Sequence, residues 1–274
     1  MLKVKITTLL ENTTKDAALL PKHGLSIHIE TPKHKILFDL GPDDTFLANA
    51  QKMGIDLAEV DTVVLSHGHY DHGGGLPGFL KINNKAKVYI NPLAFEPYYA
   101  KLLFIKKYIG LDQNFAGNER IIFTSDTMQI DDELFIFSDV EGQFESKGNR
   151  SLFKKIPAGF ARDDFAHEQN LIVTAKGTSV LFSGCSHKGI ANILRAAYKY
   201  KPTIDAAFGG FHLYNPVKKS SEPTEVVEGL AAELSSLETV LYTGHCTGKQ
   251  AYKTMRDIMG DKIRHLHTGA VIDI

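Results

Sequence analysis

Apolar positions along the chain fall into short runs bounded by Gly, Pro and Asp, the pattern of strands joined by tight connections. Residues 3–9 read as a strand. "GLSIHIET" and "HKILFDLG" are two further β-type runs, and the "PKH" between them marks a hairpin. The spacing turns helical in "DDTFLANAQKMGI", with Asp43 or Asp44 placed to cap its start. "DTVVLS" is a buried-type strand, and "KVYI" at 87–90 is another. Between about 92 and 120 the pattern reads as helical, with Pro92, Pro97 and clustered Tyr and Phe. "RIIFTSDTMQIDDELFIFS" returns to short strands, and the polar, irregular stretch 141–169 reads as a loop or lid.

The last third changes rhythm. "NLIVTAKGTSVLFSG" predicts a hairpin turning at Lys176-Gly177. Three helix–strand cycles follow: 188–200 with "IDAAFGG", 223–236 with "TVLYTG", and 248–259 with "IRHLHTG". A strand-rich front and an alternating back predict an α/β (α+β) fold of stacked mixed sheets with helices outside. No fixed-period repeat or Pro/Gly-rich linker divides the chain. The expectation is one domain over 1–274 with an insertion or lid near 92–165.

Composition narrows the function classes. The 274 residues are 43% hydrophobic, ample for a large core. Against 31 basic residues stand 32 acidic ones, a formal charge of -1, which argues against a nucleic-acid partner held by bulk electrostatics. The only cysteines, Cys185 and Cys246, cannot build a disulfide framework, so a reducing, cytoplasmic setting is expected. The start, "MLKVKITTLLENTT", contains no apolar segment long enough for a signal peptide or a membrane span.

The chemistry gathers at strand ends. Apolar runs lead into "SHGHYDH", "SGCSHKG", "GGFHLYN" and "TGHCTG", and "LFDLG" ends in Asp39. His67 and His69 lie two apart, so in extended chain both imidazoles point the same way and can grip one metal ion. Asp71 and His72, at the turn into a helix, face another direction and suit a second ion. Gly73, Gly74 and Gly75 would let the backbone turn sharply and leave the site open. His212 could contact substrate, carry a proton or ligate, or simply cap a helix. Cys246, beside His245, reads as a small buried hydrophobe. Glu168 reads as a surface carboxylate, and His265 and His267 as solvent-facing strand residues. His23, His28 and His34 have no partner in the sequence.

At these residues the sequence resembles the metallo-β-lactamase superfamily, whose signature H-x-H-x-D-H matches residues 67 to 72. The resemblance extends over essentially the whole chain. "FDLG" matches the superfamily's early aspartate segment, "TGHCTG" its last histidine-bearing strand end, and "VLFSGC" falls where it has strand-Gly-Asp. "GCSHKGIAN" and "GGFHL" resemble the branch of the 7,8-dihydropterin-6-methyl-4-(β-D-ribofuranosyl)aminobenzene-5'-phosphate synthases, pterin-forming enzymes of methanopterin biosynthesis.

The resemblance implies a four-layer αββα sandwich of two mixed sheets holding one or two divalent ions, usually zinc, with manganese or iron as alternatives. It implies that His67, His69 and a later histidine hold the first ion, and Asp71, His72 and His245 the second. Asp39 would buttress a ligating histidine, and a water activated by the ions and oriented by Asp71 would be the nucleophile. Two departures stand out. Where the superfamily has a bridging aspartate this chain has Cys185, whose thiolate can ligate zinc. The third histidine is either His187, in the branch-like "GCSH", or His167, whose spacing before Cys185 is more typical of the superfamily. His187 is preferred, because "RDDFAHEQN" around His167 reads as a solvated loop.

The leading functional expectation is a metal-dependent hydrolase or group transferase acting on a small, phosphorylated, pterin-like molecule. A non-catalytic metal-binding sensor is the alternative that Cys185 keeps open. A di-iron redox protein is disfavoured because that class has a carboxylate where this chain has His69. A nuclease is disfavoured by the near-neutral charge. The aromatic stretch at 94–116 could line a pocket, close as a lid or join copies in a homo-oligomer.

Overall fold

Alternation of side chains decides the architecture, described for residues 4–274 in a computed structural model. One seven-stranded sheet has the order β20 (Val271–Asp273), β1 (Lys5–Leu10), β2 (Ser26–Glu30), β3 (Lys35–Phe38), β4 (Thr62–Val64), β5 (Lys87–Ile90), β8 (Ile121–Phe123). A second has the order β19 (Ile263–His265), β18 (Val240–Thr243), β15 (Ala206–Gly209), β14 (Thr178–Phe182), β13 (Asn170–Ala175), β10 (Leu134–Phe137), β9 (Thr127–Gln129). Ile27 and Ile29 of β2 meet Val180 and Phe182 of β14 in one buried cluster, which is the interface between the sheets. Leu181, one residue out of phase with that pair, faces the opposite way into a helix-covered core.

Helices close both outer faces. α1 (Thr45–Lys52) and α3 (Leu76–Ile82) bury Phe46 and Phe79 against the first sheet, with the single turn α2 (Tyr70–Gly73) between them. α4 (Ile190–Tyr200), α5 (Thr224–Ser235) and α6 (Lys249–Met259) bury Leu194, Leu234 and Met255 against the second. This is the αββα order of layers that the superfamily resemblance implies. No helix among the described residues is long and apolar enough to cross a membrane.

Local chemistry accounts for the boundaries. Asp43 accepts from the Thr45 backbone N–H at 3.0 Å, so it, and not Asp44, satisfies the start of α1. Lys176 (φ 50°) and Gly177 (φ 81°) supply the paired positive φ angles that a two-residue hairpin needs between β13 and β14. Of the strand expected over 3–9, residue 3 lies outside the described residues.

Residues 92–120 overturn the helical expectation. After a short 3₁₀ turn (Pro92–Phe95) they form the hairpin β6 (Tyr98–Leu102) and β7 (Ile105–Tyr108). The segment pairs with β11 (Leu152–Ile156), which continues to β12 (Gly159–Arg162), so part of the expected 141–169 loop is strand as well. Aromatic and β-branched residues suit a half-buried sheet, and long-range pairing outweighs a weak helical spacing. A two-stranded ribbon, β16 (Tyr214–Asn215) with β17 (Ser220–Ser221), completes the strands.

In the parallel stretches β3–β4–β5 and β14–β15–β18 the carboxyl ends share an edge, and Asp39, Ser66–His67, Cys185, His212 and His245 follow directly on those strands.

Candidate metal centre

The backbone is forced where these strands end. Asp39, Ser186, His212 and His245 all have positive φ, between 48° and 60°. Such angles are uncommon for residues with a Cβ and are held only by well-determined surroundings. For His245 those surroundings include Glu11, whose Oε1 accepts the His245 backbone N–H at 2.6 Å.

Four imidazoles have their protonation pattern set by hydrogen bonds. His72 Nδ1 donates to Asp39 Oδ2 at 2.6 Å. His67 Nδ1 donates to Ser66 Oγ at 2.8 Å, because that hydroxyl itself donates to Asp39 at 2.8 Å. His187 Nδ1 donates to Asn149 Oδ1 at 2.8 Å, and the Asn149 amide is oriented by donating to the Phe144 and His187 carbonyls. His245 Nδ1 donates to Asn12 Oδ1 at 3.0 Å, with Asn12 Nδ2 donating to the His245 carbonyl. Each ring therefore keeps a bare lone pair on Nε2 when neutral. His69 is turned the other way: its Nε2 lies 3.5 Å from Asp163 Oδ2, which leaves Nδ1 for the cavity it lines.

Those lone pairs converge. The Nε2 atoms of His72 and His245 are 3.2 Å apart, and Asp71 Oδ2 lies 3.4 Å from His245 Nε2 and 3.8 Å from His72 Nε2. Two bare lone pairs at that distance repel unless a cation sits between them or one ring takes a proton. A tetrahedral ion about 2.0–2.1 Å from each nitrogen sets ligand-to-ligand edges of about 3.3 Å, so the spacing fits. The Nε2 atoms of His67 and His187 are buried with no hydrogen-bond partner. Cys185 Sγ belongs with both groups: it is 3.2 Å from His72 Nε2 and within 4.8 Å of the ligand atoms of His67 and His187. The donor set of imidazole, carboxylate and thiolate is one that zinc accepts.

Electrostatics agree with this geometry. Burial, reinforced by the neighbouring imidazoles, holds His67 and His187 well below the usual histidine range, so both are neutral donors. Burial would lower His72 too, but Asp39 and Asp71 outweigh it and raise its pKa. The same negative field favours a cation. Burial would raise Asp71, yet His72, His23 and His245 hold its carboxyl well below the ordinary range. Burial pushes the Cys185 thiol up, a direction that a coordinated divalent ion reverses.

Several placements differ from the sequence reading. His167 is buried, not solvated, and does not line the cavity: its Nδ1 accepts from the Gly68 N–H at 2.9 Å, and its Nε2 lies 3.2 Å from Asp163, with which and His69 it forms a separate cluster of ligand-type atoms. Glu168 is buried, not at the surface, and accepts the N–H groups of His187 (2.6 Å) and Lys188 (2.9 Å), fixing the loop after Cys185. His23 has partners: Asp71 at 3.3 Å and the stacked ring of His245 at 4.8 Å. His34 bridges Asp61 and Asp131, and His265 is half-buried against Tyr252. The three glycines link α2 to α3 without any positive φ, so conformational freedom is not what requires them. They allow close approach instead: a Cβ on Gly74 would lie 2.3 Å from the Pro42 carbonyl oxygen, and one on Gly75 2.3 Å from that of Leu40. Cys246 is buried and accepts the His212 N–H at 3.3 Å. His212 stacks obliquely on His187 at 4.2 Å with both ring nitrogens unpaired.

Above these groups lies a cavity of about 380 Å³, floored by Asp71, Cys185, His187, His212 and His245. The family model of the metallo-beta-lactamase superfamily matches residues 20–212, which takes in every one of these groups except His245. The chain belongs to that superfamily. It is 29% identical, over 98% of its own length and 96% of the other's, to a Methanocaldococcus jannaschii protein named 7,8-dihydropterin-6-methyl-4-(beta-D-ribofuranosyl)-aminobenzene-5'-phosphate synthase. It superposes with a TM-score of 0.82 on a metal-dependent hydrolase of the beta-lactamase superfamily, 28% identical, covering 99% of both chains. Zinc-bound PqqB from Methylobacterium extorquens, 12% identical with a TM-score of 0.56 over 98% of this chain and all of that one, shares the fold. As a metallo-beta-lactamase superfamily member the chain has the fold of metal-dependent enzymes.

Proposed function

We propose that this chain is a zinc-dependent hydrolase or group transferase acting on a small phosphorylated molecule with a pterin-like aromatic body. The convergence of hydrogen-bonded imidazoles with bare lone pairs carries this reading. His67, His69 and His187 would hold one ion, Asp71, His72 and His245 the other, and Cys185 would be shared. Divalent ions held there supply Lewis acidity and a water made acidic towards neutral pH.

The chain's own residues do the rest. Asp71, ionised and anchored by His23 and His245, presents a fixed negative charge that can orient the attacking group. His212 has both ring nitrogens uncommitted at the cavity wall, so it is placed to give a proton to a leaving oxygen. The phosphorylated, ring-bearing product in the M. jannaschii relative's name supports the substrate class.

The test is metal analysis of wild type, His187→Ala and His167→Ala, with turnover of phosphodiester, phosphomonoester, thioester, lactone and β-lactam substrates. Two zinc ions per chain are expected, with His187→Ala losing metal and His167→Ala keeping it. The reverse pattern sinks the ligand assignment. Two irons would favour a redox protein, and full zinc without turnover of any substrate would favour a sensor.

A further inference from the structure

The sheet that roofs the cavity has a charge pattern unlike the rest of the chain. Strands β6, β7, β11 and β12 carry Lys101, Lys106, Lys107, Lys154, Lys155 and Arg162 and not one Asp or Glu. Taking those six from the 31 basic residues leaves 25 against 32 acidic ones, so the remainder is acidic and the roof is not. Lys154 is neutralised by Asp164 at 2.7 Å. Lys101, Lys106 and Lys107 form no ion pair among the described residues.

Register decides which cation faces inward. Lys107 lies opposite Ala100, and Ala100 opposite Leu152, so the three side chains form one row across the sheet. All three line the cavity, together with Leu102. Lys106, one residue away, faces outward and sits over the Phe160 ring at 4.4 Å. Among the described residues Lys107 is the only lysine or arginine that lines the cavity, and its immediate neighbours on that wall are apolar. A lysine on an exposed strand is ordinarily just solvated. Here the alternation puts a lysine without an ion pair on the lining of the same cavity as the candidate metal centre, beside an apolar wall.

We infer that Lys107 is a specificity-determining residue: it binds an anionic group, phosphate or carboxylate, that an aromatic or aliphatic body separates from the bond reacting at the floor. This rests on the proposed reading of the floor as the reaction centre. The cationic roof draws anions toward the opening, and Lys107 makes the contact.

Calorimetric binding of 1-naphthyl phosphate, 1-naphthoate and 1-naphthol to zinc-loaded and chelator-stripped protein tests it. A charge-assisted contact of this kind is worth about tenfold in affinity. Lys107→Ala is expected to weaken both anions about tenfold, in both metal states, and to leave 1-naphthol and zinc content unchanged. Lys107→Arg should stay within about threefold of wild type because the charge remains. A preference for the phosphate marks a phosphate subsite, and equal affinities mark a general anion subsite. The inference is overturned if Lys107→Ala changes anion binding less than about twofold, if 1-naphthol suffers equally, or if Lys107→Arg behaves like Lys107→Ala. Absence of bound metal or of turnover in wild type would defeat the proposed function alone, since stripped protein still reads the lysine.

Discussion

The floor of the cavity is made by strand ends of the two large sheets, where every candidate ligand is buried or nearly so and the imidazoles of His67, His72, His187 and His245 are each tied to a named acceptor. The roof is a small antiparallel sheet with lysines and exposed apolar side chains; Phe104, at the β6–β7 tip, is 99% exposed. The floor fixes its side chains through buried hydrogen bonds and positive-φ backbone, and the roof strands offer no such network around Lys107. Chemistry demands the first kind of construction, and recognition of a diffuse charge tolerates the second.

Removing the floor's ions should break the contrast most severely. Ions that bind only the folded chain stabilise it by about 4 kcal/mol at a thousandfold excess over Kd, so chelation should lower the melting temperature by many degrees. Deleting the roof lysine Lys107 should not; equal losses would mean that the two regions fold as one unit. Next in size is Asp39→Asn. The carboxylate accepts from His72, Ser66 Oγ and the Ser66 N–H, and an amide offers only one oxygen for all three. Zinc affinity, read by chelator competition, should fall about 10–100-fold. An unchanged value would show that His72 orients itself.

A third test separates burial of a histidine from ligation. His28 in β2 is buried with both nitrogens unpaired, but belongs to none of the convergent groups. Burial lowers its pKa from 6.5 to about 4. Between those values the unfolded chain binds the proton and the folded chain does not, so stability falls as pH drops from 6.5 to 4. The loss attributable to this residue is at most about 3 kcal/mol. In stripped protein, His28→Leu should flatten the denaturation profile over that window, and an unaltered slope would exclude His28 as its source. The smallest effect belongs to the roof. Lys154→Ala removes a partly exposed ion pair and should change stability by less than about 1 kcal/mol by urea denaturation.

The alternation in β2, β3, β5, β13 and β14 was legible because each strand pairs with a near neighbour in sequence or is flanked by clear turns. β6 was not: its hairpin with β7 turns at Leu103-Phe104, which carries no Gly, Asn or Asp turn signal, and its other partner β11 lies some fifty residues further on. The candidate ligands could be read because their residue types are rare and clustered. Their supports could not. Asn12, Ser66, Asn149 and Glu168 are common polar residues whose roles come only from being folded against a particular ring or N–H. Asp163 left a trace, since "RDDFAHEQN" is dense in ligand-type residues, but the sequence does not tell that its carboxylate backs His69 from behind.

Ser66 gives this construction a mechanical side. Its hydroxyl leans on Asp39, which steers His72, while its oxygen steers His67, so one small residue gears the two halves of the centre together. A ring that settles onto an ion on one side firms the ring on the other, and uptake should be positively cooperative. A zinc titration resolving two independent steps would show the gears disengaged; a single sigmoid step would mean that half-loaded protein is scarcely populated.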